Sequence, residues 1–156
     1  MPTPHTGARD LCPALGTLTN LQWLDLSANA LGPTGAAAFA DALRSLTNLA
    51  YLSLNTNRMG HGEGPASLRP SLQMLTRLKT LDISRNMLKA TGLAHLMPAL
   101  QSMPLVSLNL GFNALGPEGA HVLLPLVEQL GRRGLRELDI RGNDLGPQGC
   151  AGSAGS

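Results

Sequence analysis

The chain has 156 residues, 43% hydrophobic and 14% charged, which is enough for one domain. That balance excludes a disordered chain, which would be rich in charge and poor in Leu and Ile. A formal net charge of +2 is too small to imply a nucleic-acid or membrane partner, and aromatics at 3% leave the core to Leu, Ala, Val and Met.

Residues 1–10 lack the apolar stretch of a secretory signal and read as a flexible N-terminus. No apolar run reaches the length needed to span a bilayer, so the expected compartment is the cytoplasm. Residues 11–18 read as the tail of a helix without a preceding strand. Cys12 and Cys150 stand at opposite ends of the chain, and two free thiols suit a reducing compartment.

From residue 21 onward one pattern, Leu-x-x-Leu-x-Leu-x-x-Asn, is written five times at a spacing of 27 to 30 residues. A period in this range means a solenoid of stacked units. The alternation Leu-x-Leu within each copy is a strand signal, placing strands near 23–26, 51–54, 80–83, 107–110 and 137–140. After the first strand, Leu31-Gly32-Pro33-Thr34-Gly35 turns the chain, and Ala36, Phe39, Ala40, Leu43 and Leu46 fall on one helical face. Repeat two replaces that turn with Met59-Gly60-His61-Gly62-Glu63-Gly64-Pro65, which predicts an irregular loop and a short helix near Pro65 to Leu75. Pro70, Pro98 and Pro125 fall inside the helical stretches of repeats two to four, so those helices are expected to be short or broken. Repeat four reopens with Leu115-Gly116-Pro117-Glu118-Gly119-Ala120, and repeat five ends as the same turn begins. Residues 150–156 read as a flexible Gly/Ser/Ala tail.

Each repeat closes on an asparagine: Asn29, Asn57, Asn86, Asn113 and Asn143. They follow the strands, where backbone groups lose their ladder partners and must still be satisfied. An amide side chain supplies both donor and acceptor, so the five form a structural ladder.

The positions between the leucines point away from the core. The third carries Trp23, Tyr51, Thr80, Ser107 and Glu137, and the fifth carries Asp25, Ser53, Asp82, Asn109 and Asp139. The seventh carries Ser27, Asn55, Ser84, Gly111 and Arg141, and the eighth, at the rim, includes Arg85 and Phe112. Three of the four aromatics lie in these positions, far above a chance share. Trp23 and Tyr51 should stack side by side; either they are strand-favouring aromatics sheltered by their flanks, or they are anchors for a partner, since binding hot spots favour Trp, Tyr and Arg. The expected partner-binding set is Trp23, Asp25, Tyr51, Ser53, Asp82, Arg85, Asn109, Phe112, Glu137, Asp139 and Arg141. The recurrent acid at the fifth position also has a plainer, structural reading.

Catalytic features are weak. Gly60-x-Gly62-x-Gly64 faintly resembles a phosphate-binding turn but lacks the spacing of either known motif. His61 and Glu63 have no second His or CxxC in register, so neither a metal nor a cofactor is expected, and no nucleophile is paired with a base. Arg132, Arg133 and Arg136 form the one basic cluster, without the stacking aromatics that single-strand binders need.

The leucine and asparagine pattern, the Leu-Gly-Pro-x-Gly-Ala turn and the 28-residue spacing resemble the leucine-rich repeat family, in particular its ribonuclease-inhibitor-like class. The resemblance covers residues 11–149. It implies an α/β, right-handed horseshoe with five parallel strands on the concave face and helices on the convex face. It further implies a non-enzymatic module that binds a protein partner through the concave sheet. Similar repeats occur in the GTPase-activating protein for Ran and in NOD-like receptors, so the alternatives are a GTPase regulator or the sensor repeats of a larger receptor. Neither end shows a polar capping repeat, which predicts a longer array or self-association through uncapped ends.

Overall fold

The computed structural model describes residues 4–147, and the side chains from residue 7 onward. Among the described residues ten elements alternate: α1 (Pro4–Leu15), β1 (Trp23–Asp25), α2 (Gly32–Leu43), β2 (Tyr51–Ser53), α3 (Glu63–Gln73), β3 (Thr80–Asp82), α4 (Lys89–Ser102), β4 (Ser107–Asn109), α5 (Gly116–Arg132) and β5 (Glu137–Asp139). The strands form one parallel sheet in the order β1-β2-β3-β4-β5. Register is kept throughout: Leu24 pairs with Leu52, Leu52 with Leu81, Leu81 with Leu108 and Leu108 with Leu138.

A single strand–helix unit has too little apolar surface to bury its own leucines, and stacking solves this. Leu52, Leu81, Ile83 and Leu110 from the sheet side are fully buried against Leu43, Leu72, Leu100 and Leu126 from the helix side. Burial weakens at the β5 end, where Leu135, Leu138, Ile140 and Leu145 are only partly covered. Buried polar groups are satisfied between repeats; Ser71 Oγ, for instance, donates to the Ala40 carbonyl at 2.6 Å.

The helices begin without side-chain caps at Leu31, Leu88 and Leu115. Their first N–H groups are met instead by the next repeat: Gly32, Lys89 and Gly116 donate to the carbonyls of Asn57, Asn113 and Asn143 at 2.9 Å. The second glycine of the Leu-Gly-Pro-x-Gly turn has a steric cause. A Cβ on Gly119 would lie 2.4 Å from that of Leu115, and one on Gly35 2.9 Å from that of Leu31.

Three expectations are corrected. The N-terminus is helical from residue 4 onward: α1 packs on α2, burying Ala8, Cys12 and Leu15. Those residues sit at helical spacing, but they are small or few, and Pro4, Gly7 and Pro13 disguise them. Second, the helices of repeats two to four are continuous, and α5, with Pro125 inside it, is the longest at 17 residues. Pro70, Pro98 and Pro125 are all exposed, so the hydrogen bond each removes is lost from the solvent side of its helix. Packing of the buried leucines one and two residues further along then outweighs the lost bond. Third, the Gly60–Pro65 stretch is not wholly a loop, because α3 already starts at Glu63. The expected tail at 150–156, with Cys150, lies outside the described residues.

Candidate functional site

The helices cover one face of the sheet, leaving the other to the third, fifth and seventh positions. Trp23 and Tyr51 face each other across the first strand pair. Their rings stack with centroids 5.1 Å apart and planes 10° from parallel. Trp23 remains 59% exposed, whereas Tyr51 is half-buried. An exposed, rigidly held indole beside a phenol provides apolar area with little conformational freedom left to lose on binding.

The fifth-position residues do two things. Their side-chain oxygens accept the backbone N–H two residues on: Asp25 from Ser27 at 2.8 Å, Asp82 from Ser84 at 2.9 Å, Asn109 from Gly111 at 2.9 Å and Asp139 from Arg141 at 3.1 Å. Each such turn satisfies a donor where the chain leaves the sheet, which is why short acceptors recur there. Hydrogen bonds from the Ser27 side chain and then its backbone hold the Asp25 carboxyl below the usual carboxylate range. The remaining carboxylate charge is presented to the open face.

The expected partner-binding residues fall into three groups. Trp23, Tyr51, Asp25, Asp82, Asn109, Glu137 and Asp139 all lie on the open face. Arg141 also reaches it, but its Nε is tied to Asp139 at 3.0 Å. Arg85 and Phe112 meet each other at the rim, the guanidinium carbon 4.2 Å from the ring centroid. Phe112 also packs flat against Gly142, where a Cβ would lie 2.4 Å from its ring. Ser53 is the correction: it is 3% exposed and so offers almost no surface to a partner.

The rim holds a feature the repeat pattern does not announce. The eighth-position residues Ala28, Thr56, Arg85 and Phe112 all have φ between 55° and 58°. Ala30, Arg58, Met87, Ala114 and Asp144, each directly after a ladder asparagine, are left-handed too. Such positions cost non-glycine residues about 1–2 kcal/mol each. The stacked turns hold them, and Met87 among them is 59% exposed. The one signal for Met87 in the sequence is an apolar side chain immediately after Asn86.

The asparagine ladder is present in full. Asn29, Asn57, Asn86 and Asn113 donate their backbone N–H to the side-chain oxygen of the next asparagine at 2.7–3.0 Å. His61, at the glycine-rich turn, meets Thr91 across 3.4 Å.

A family model described as a leucine-rich repeat matches residues 17–40, 101–124 and 135–152. The fold is a leucine-rich repeat solenoid. The match reaches the first, fourth and fifth copies of the pattern, and the in-register sheet carries the same unit through the second and third. It identifies the repeat as such and no subclass of it. No curated protein matches the chain significantly. Leucine-rich repeats commonly serve as non-enzymatic scaffolds for binding proteins, and the sheet face is where this chain presents side chains that are not consumed by folding.

Proposed function

We propose that this solenoid is a protein-binding module that receives its partner on the concave sheet, with Trp23 and Tyr51 as the anchoring pair. The observation that carries the reading is the stacked, solvent-facing ring pair on a sheet face that none of the described helices covers. An indole left 59% in water contributes little to the core and is available to a partner. Side chains on the open face of five strands fall short of the 20–30 residues of a standard interface, so this face alone makes a small one. Affinity capture with the wild type and with Trp23→Ala/Tyr51→Ala tests this. Loss of the captured partners from a double variant that still folds supports the concave site, and an unchanged set moves the site elsewhere.

A further inference from the structure

The chemistry of the partner follows from what surrounds the ring pair. Four carboxylates, Asp25, Asp82, Glu137 and Asp139, stand on the open face. The cations around it are disposed differently. Arg141 is bonded to Asp139, and Arg85 lies over Phe112. Lys79 and Arg136 precede β3 and β5, and Arg58 is on the rim, so none adjoins β1. Asp139 is thus the one carboxylate of the face in an ion pair among the described residues. Asp82 is met by neutral donors, Ser84 at 2.6 Å and Asn55 at 3.3 Å, which leave its charge in place. The chain carries a net positive charge, whereas its uncovered sheet is negative at the aromatic end.

Tyr51 covers one side of the Trp23 ring and, among the described residues, no ring covers the other. Asp25 is two residues along the same strand on the same face, about 7 Å away at the usual rise per residue. A guanidinium can lie flat on an indole while its fork reaches a carboxylate at that distance, which a compact ammonium cannot do. The chain itself uses the stacking half of this geometry at Arg85 and Phe112.

We propose that the face takes a basic peptide segment, with one arginine seated on Trp23 and directed at Asp25. The proposal rests on the concave-face reading above and adds the charge and side-chain class of the partner.

Trp23 is the only tryptophan in the chain, so its emission reports the site directly. The full chain is titrated at low salt with capped hexa-arginine, hexalysine and hexaglutamate. The expected result is a saturable change in emission with hexa-arginine, weaker with hexalysine, absent with hexaglutamate, and reduced by added salt. Asp25→Asn should weaken hexa-arginine binding roughly two- to five-fold. Its fold is preserved because Asn109 already makes the same turn in repeat four. No saturable response to hexa-arginine, an equal response to either other peptide, or an unchanged affinity in Asp25→Asn overturns the proposal. In affinity capture, partners lost by Trp23→Ala/Tyr51→Ala but fully kept by Asp25→Asn would leave the concave site standing and remove the arginine from it.

Discussion

Replacing a ladder asparagine by alanine should cost very different amounts at the middle and at the start of the array. Asn86 is fully buried. Its Oδ1 accepts the backbone N–H of Asn57 at 3.0 Å and of Met59 at 3.4 Å. Its Nδ2 donates to the carbonyls of Leu54, Ile83 and Ser84 at 2.9–3.1 Å. In Asn86→Ala those three carbonyls each keep another donor: Asn57 Nδ2, Asn113 Nδ2 and the Thr56 N–H. The two backbone amides do not. An orphaned buried donor costs about 1–3 kcal/mol, and the longer of the two bonds falls at the low end, so the loss is about 2–4 kcal/mol. Asn29 is exposed, and its Oδ1 receives no hydrogen bond from the described residues. The Leu26 carbonyl it serves is also served by Asn57, so Asn29→Ala should cost under about 1 kcal/mol. Both variants are unfolded in urea, followed by circular dichroism and by Trp23 emission together, since a repeat array can unravel from one end. Equal losses at the two positions would refute the reasoning that unpaired amides, rather than lost amide side chains, set the cost.

Pro98→Ala restores a donor for the Ala94 carbonyl on the exposed side of α4 and should stabilise the chain by about 1–2 kcal/mol, part of the usual proline penalty being offset by a freer unfolded state; a net loss in the same urea assay would show that the proline is a packing element. Gly64→Ala should cost about 1–3 kcal/mol, because its Cβ would lie 2.3 Å from the Met59 carbonyl oxygen, whereas Gly131→Ala, within α5, has open space and should be neutral or slightly stabilising. Similar melts for those two variants would contradict the steric account of the turn. Asp25 has a folded pKa below its unfolded value, so its contribution is full above about pH 3.9 and is lost as the pH falls through the folded value. The group is solvent-exposed, so the loss on Asp25→Ala should be well under 1 kcal/mol at pH 7 and should fade in acid; an undiminished difference towards pH 2 would count against the Ser27 bonds as its cause.

The sheet was legible because leucine spacing and strand geometry share one constraint. A slip of one residue in any copy would turn Leu52 or Leu81 to water, so period and register were readable together. The ladder was legible for a similar reason, since a turn that recurs five times needs the same amide each time. The helices were harder to read. Proline was weighed as a local breaker, but Pro70, Pro98 and Pro125 are placed where the chain curves past solvent and the buried leucines beside them decide the matter. Only the end of α1 is legible, from residue 11, because Ala8 and Cys12 are weak signals one at a time and count only once α2 is there to cover them. Ser53 shows the same limit on the site: alternation places it on the open face, yet a small hydroxyl there is only 3% exposed.

The fifth position shows why a repeat pattern and a binding site are hard to separate by sequence. Asp25, Asp82 and Asp139 recur because each must accept the N–H two residues on, and Asn109 does the same work without a charge. Folding therefore asks for an oxygen acceptor at these places, and asparagine satisfies it. The negative charge is surplus to the turn. Arg141 offsets that surplus at β5, whereas at β1 it stays uncompensated beside the most exposed ring on the sheet. A substitution that removes charge and keeps the acceptor consequently separates the two roles: it should leave the melt of the array unchanged while altering what the face will hold.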